Sequence, residues 1–150
     1  MQSRNLFTAI LLGGFVAGTV DIGAAALINL ISPVVIAHAV ASGVLGKASY
    51  LGGWQTAAFG VVLQWLMSLI IAAVFVNAAS RIEFLRRRWI ATGLAYGAAV
   101  FVVMNYVVVP LSNAYPKHTH PMPPDKIAEN LLAMLLFGLI VSYFVHETVR

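Results

Sequence analysis

Four long apolar runs constrain this chain more than any other feature, at about residues 6–31, 54–79, 89–111 and 126–145. A helix rises about 1.5 Å per residue, so roughly 20 residues cross the roughly 30 Å hydrocarbon core of a bilayer. Lipid offers no partner to a backbone N–H or C=O. Each run must therefore satisfy its own backbone, and an α-helix does so within one segment. A β-barrel would instead show alternating segments of about ten residues. Only 9% of the residues are charged and 61% are hydrophobic, against roughly a quarter charged in soluble domains. The fold class read here is an all-α membrane protein. It is one transmembrane domain of 150 residues, with four helices in a bundle and one short helix between the first and second.

That short helix is expected over about residues 34–45. Pro33 stops the first helix near Ser32. The following apolar stretch is only about twelve residues long, which suits an interfacial or re-entrant segment. Gly43, Gly46, Gly52 and Gly53 supply turns around it. A fifth full span is the rival reading. The first run is longer than a signal-peptide core, and the cleavage-like "AHA" at 37–39 comes late, so an uncleaved signal-anchor is expected.

Charge sets orientation. Arg81, Arg86, Arg87 and Arg88 sit in one short loop, with Arg4 and Arg150 at the termini. Lys47, Lys117 and Lys126 fall on the opposite side. Basic residues favour the cytoplasmic side, so both termini are expected there, in a multi-pass protein of a bacterial inner membrane. The net charge of +4 is thus a matter of topology, and no nucleic-acid partner is expected. Anionic lipid is a minor further reading of the arginine cluster. The expected partners are the lipid bilayer and a second copy of the chain or another membrane protein. The chain has no cysteine, so thiol chemistry is absent.

Asp21 stands in the middle of the first run. A carboxylate at the centre of a span costs on the order of 3 kcal/mol, so it should not face lipid. Gly14, Gly18, Asp21 and Ala25 recur at helical spacing and form one stripe. Gly14 and Gly18 make a GxxxG pair, which lets another helix approach closely. The acid should therefore point toward other helices. On the second span Ala57, Gly60, Gln64 and Ser68 form a comparable stripe. The third carries Gly93 and Gly97, a second GxxxG, with Asn105 off that line. One of the two glycine faces is expected to be available to a second copy of the chain.

Depth brings the polar residues together. Asp21 and Gln64 each lie about ten residues from the outer ends of their helices, roughly 15 Å deep, and Asn105 roughly 10 Å. A buried cluster of Asp21, Gln64 and Asn105 is expected, with Glu129 at its mouth and His38 joining if the short helix dips inward. No lysine or arginine lies within a span. Asp21 is then either a neutral carboxyl donating a hydrogen bond, or an ion beside water, His38 or Lys47. Simpler readings stand beside these. Gln64 and Asn105 serve as interhelical glue, and Glu129 with Asp125 complements the helix dipole.

In "KHTHPMP", His118 and His120 could share one side of an extended segment, with Met122 as a soft third ligand. Two imidazoles without acid or cysteine company are a weak metal signal, so a solvated loop is the reading adopted. No cofactor is expected. No catalytic motif of the GxSxG, HExxH or P-loop kind occurs, and one deep acid cannot support a two-aspartate mechanism.

"GTVDIGAA", "ASGVLGKASYLGGWQTAAFG" and "GLAYGAAVFVVMNYVVVPLS" together resemble a group of short, four-span bacterial inner-membrane proteins. The resemblance covers roughly residues 14–112. It implies the architecture but carries over no activity. In such sequences the position of Gln64 is often histidine. Glutamine does not titrate near neutrality, so a histidine–aspartate proton pair is unavailable here. Three functions are compatible with the residues. The first is a structural or accessory membrane protein. The second is a small oligomeric transporter or channel for an ion or small solute, using Asp21, Gln64 and Asn105. The third is an enzyme acting on a lipid-like substrate.

Overall fold

A computed structural model describes residues 3–117 and 121–148. Every regular element among them is helical: α1 Ser3–Asn29, α2 Pro33–Leu45, α3 Gly53–Arg81, α4 Glu83–Arg87, α5 Trp89–Val103, α6 Val109–Leu111 and α7 Pro124–Thr148. A 3-10 segment, Gly46–Leu51, joins α2 to α3, and a π-helical turn, Met104–Val108, joins α5 to α6. Five stretches are long and apolar enough to cross a membrane, the fifth being Pro33–Leu51. The chain is an all-α, multi-pass membrane protein. On α3, Val62, Leu66, Ile70 and Val74 recur every fourth residue and are each more than half exposed. Such a stripe belongs in acyl chains, because a water-soluble fold would cover it.

The long helices form a bundle in which α1 packs on α3 and α7, α7 on α5, and α2 on α3. Small residues set these contacts. A Cβ on Gly14 would meet Leu69 at 2.8 Å and one on Gly18 would meet Ser68, both on α3. Gly93 and Gly97 face α7, where Gly138 receives the Gly93 and Gly97 backbones in turn. Gly60 lies directly against the Ala37 backbone of α2. Both GxxxG faces are thus filled from within the chain, where the sequence led us to expect one to be open to a second copy. Gly138, which completes the α5–α7 seam, stands alone on its helix, and no GxxxG spacing marks it.

The two ends of the bundle differ. Toward the amino terminus of α1, an apolar core of Ala9, Ala17, Ala72, Phe75, Val76, Ala79, Phe137, Val141 and Val145 is closed to solvent. The other end is polar. There α1 stops in a Schellman arrangement: Ile31 N–H donates to Ala26 O at 3.1 Å and Leu30 N–H to Leu27 O at 3.3 Å. Leu30 takes the left-handed conformation at φ 52°. The Lys126 ammonium, from the first turn of α7, donates to Ile28 O at 2.8 Å. A cation thus caps the negative end of the α1 dipole.

Ser32 caps α2 by accepting from Val34 N–H at 3.2 Å, and Pro33 supplies the first helical residue. The 3-10 segment then folds back. Ser49 Oγ donates to His38 O at 2.9 Å, and the His38 ring lies 2.7 Å from Ser49 O. A straight helix would hold those residues about 16 Å apart, so Pro33–Leu51 does not form one rod. Asn113, just past α6, closes the far end of α2. Its backbone N–H donates to Gly43 O at 2.9 Å and its amide to Val44 O at 3.2 Å.

Candidate functional site

Gln64 Nε2 donates to Asp21 Oδ2 at 2.7 Å, which links α1 to α3 across the stripe that Gly14 and Gly18 begin. Gln64 is buried and Asp21 half-buried. The reason for the pairing is local. Gly18 lets Ser68 come close, and Gln64, one turn earlier on α3, is thereby brought level with Asp21. Trp65 Nε1 adds a parallel clasp to Thr19 Oγ1 at 3.1 Å.

Asp21 also lines a cavity of about 720 Å³ that opens at the polar end of the bundle. Its α1 wall is Asp21, Ala25 and Asn29, one residue per turn. Asn105 and Val109 form a second wall. Lys126, Asn130 and Met134 of α7 form a third, and Lys117 with residues 121–123 forms the rim. Asp21 is the deepest of the α1 residues that line it. Below it the glycine-mediated α1–α3 contact and the apolar core close the bundle.

Pro110 explains how Asn105 reaches this space. Proline has no N–H, and its ring crowds the carbonyl four residues back. The backbone widens before it, and Val109 N–H donates to Met104 O, five residues back. A single π turn of this kind shifts helical register. Pro110 was the available signal in the sequence, although it also reads as a plain helix end.

The asparagines of the cavity share one arrangement. Asn29, Asn105 and Asn130 each donate from Nδ2 to the backbone carbonyl four residues back, at 2.8, 2.9 and 2.9 Å. A carbonyl can only accept, so the amide nitrogen must lie on that side. The three amide oxygens and Asp21 Oδ1 have no hydrogen-bond partner among the described residues, and all four belong to side chains that line the cavity. Asn29 and Asn130 lie near helix ends, where polar residues are ordinary, and nothing in the sequence singled them out.

The other expected members lie elsewhere. Glu129 pairs with Lys126 at 3.0 Å and is not part of the cavity wall. His38 sits between α2 and α3, 3.2 Å from Thr56 Oγ1 and 2.7 Å from Ser49 O. The fold-back of the 3-10 segment satisfies its ring there and keeps it from Asp21. The Lys47 ammonium lies 5.8 Å from the Tyr115 ring centroid and so is not the counter-ion of Asp21 either. His118 and His120 fall outside the described residues. Among the described residues, no three His, Asp or Glu side chains gather as a metal-binding set.

The fold and the cavity define a class: a small helical membrane protein with a chamber open at one end, its wall mostly apolar with a few polar side chains, and an acid at its floor. Comparison with protein-family models, with curated proteins and with solved structures gives no match.

Proposed function

We propose that this chain is a four-span membrane protein of the solute-carrier kind, which admits a small polar solute from its outer end to a site at Asp21 and Gln64. One observation carries the reading: the chamber reaches Asp21 instead of ending above it. A carboxylate kept only as an interhelical pin needs no such access. The apolar core beyond Asp21 leaves no through-route, which speaks for a carrier closed on its far side over an open channel.

The four-span count rests on α2. Its first residue follows the end of α1, and its last carbonyls are held by Asn113 after α6. Both ends therefore belong to the cavity end of the bundle, which supports a short outer helix over a fifth span. The arginines Arg4, Arg81, Arg86, Arg87 and Arg88 lie at the opposite end, which supports a cytoplasmic side for that end and an outer side for the cavity in a bacterial inner membrane. Reporter fusions between Asn113 and Lys117 should then register as external. A structural or accessory role is the second reading, favoured by the Asp21–Gln64 bond itself.

Thermal unfolding of the purified protein against a panel of small cationic, anionic and neutral solutes separates the two. The carrier reading expects at least one solute to raise the midpoint, and Asp21→Asn to abolish the rise. No effect from any solute would leave the structural role standing.

A further inference from the structure

A second cavity, of about 410 Å³, lies between α3 and α5. Its walls are Met67, Ile70, Ile71 and Val74 on one side and Tyr96, Ala99, Val100 and Val103 on the other, with Met104 and Val108 at one end. No polar surface is exposed inside it. These two long helices have no close backbone seam like those of α5 with α7 or α1 with α3. They touch mainly through Tyr96, whose hydroxyl donates to Ile71 O at 2.6 Å and whose ring lies 4.8 Å from that of Phe75. The result is a slot facing the acyl chains at the level of the bundle's middle.

Met104 lines this slot and also the chamber that reaches Asp21, and among the described residues it is the one residue common to both linings. It is unbranched and adaptable, and it begins the π turn. The lipid-facing apolar slot and the chamber that reaches the Asp21 carboxyl thus lie on either side of this one residue of the helix.

Resting on the carrier reading above, we propose that the solute is an amine-headed phospholipid, which enters sideways past Met104 with its head in the chamber and one acyl chain left in the α3–α5 slot. Four observations point to this occupant. The chamber offers acceptors along its depth: Asp21 at the floor, Asn105 and Asn130 on its walls and Asn29 near its mouth, which suit an ammonium group. The rim offers the cation Lys117, which suits a phosphate. The slot offers only hydrocarbon. The two spaces share one lining residue, Met104. A fully water-soluble solute would use the chamber and leave the slot without a role.

The test uses the full chain in nanodiscs containing equal amounts of phosphatidylethanolamine and phosphatidylglycerol, with retained lipid counted by native mass spectrometry. The proposal expects phosphatidylethanolamine to be retained over phosphatidylglycerol by on the order of tenfold, as one desolvated charge pair allows. Asp21→Asn should level that preference. Ala99→Phe, at an exposed position in the slot, should reduce retention of both lipids while leaving the thermal midpoint in place. Equal retention of both lipids by the native chain overturns the proposal, as does an Ala99→Phe variant that retains lipid normally. Ethanolamine added to the soluble side distinguishes the two levels of the argument. If it stabilises the protein through Asp21 while lipid shows no preference, the carrier reading survives and the lipid inference falls. If neither binds, the lipid inference falls, and the carrier reading is decided by the remaining solutes of the panel.

Discussion

Asp21 divides its two oxygens, and that division decides what its substitutions should do. Oδ2 accepts from Gln64 and holds α1 to α3, while Oδ1 has no hydrogen-bond partner among the described residues and belongs to a side chain that lines the chamber. Asp21→Asn keeps an acceptor for Gln64, so stability should change by less than about 0.5 kcal/mol while binding is lost. Asp21→Ala strands the buried Gln64 amide and should cost about 1–2 kcal/mol. Reversible unfolding of the two variants in mixed micelles compares them, and equal destabilisation by both would mean that the charge itself holds the fold. Leu30 makes the reverse case. Its left-handed backbone at φ 52° carries a strain of about 1–2 kcal/mol that glycine lacks. Its side chain is 90% exposed. Leu30→Gly should stabilise the protein by about 1 kcal/mol in the same assay, and a loss of stability would show that the side chain has a lipid or protein contact worth more than the strain.

At the scale of elements, glycine is required where backbones meet and dispensable elsewhere. A Cβ on Gly97 would collide with the Met134 carbonyl, whereas one on Gly23 would meet nothing within 4 Å. Gly97→Val should therefore open the α5–α7 seam at a cost of about 1–3 kcal/mol, while Gly23→Ala should be neutral or slightly stabilising. Comparable effects at both positions would contradict the packing described. The sequence shows these elements well because length and small-residue spacing are local properties: the run expected at 89–111 appears as α5, the π turn and α6, and that expected at 34–45 as α2. It shows the site less well because the site depends on register between helices. Asp21 and Gln64 could be matched by depth alone. His38 could not be placed, since the return of Ser49 onto its own helix is invisible in a string of Gly, Ala and Ser. Met104 reads as one more apolar residue until the π turn sets it between two spaces.

For the whole molecule, the account comes down to polarity between two ends. One end is a sealed apolar core, the other a chamber that reaches a carboxyl side chain in the middle of a span. Since the chain contains no cysteine, a single introduced thiol reports its own surroundings without interference. Ala25 lines the chamber one turn above Asp21, and Ala17, one turn below it, is fully buried. Spheroplasts carrying Ala25→Cys should react with a membrane-impermeant, charged thiol reagent added outside, and those carrying Ala17→Cys should not. An Ala25→Cys variant that stays unreactive from the outside, or that reacts only once the cytoplasmic face is exposed, would contradict the chamber and the orientation on which the functional reading stands.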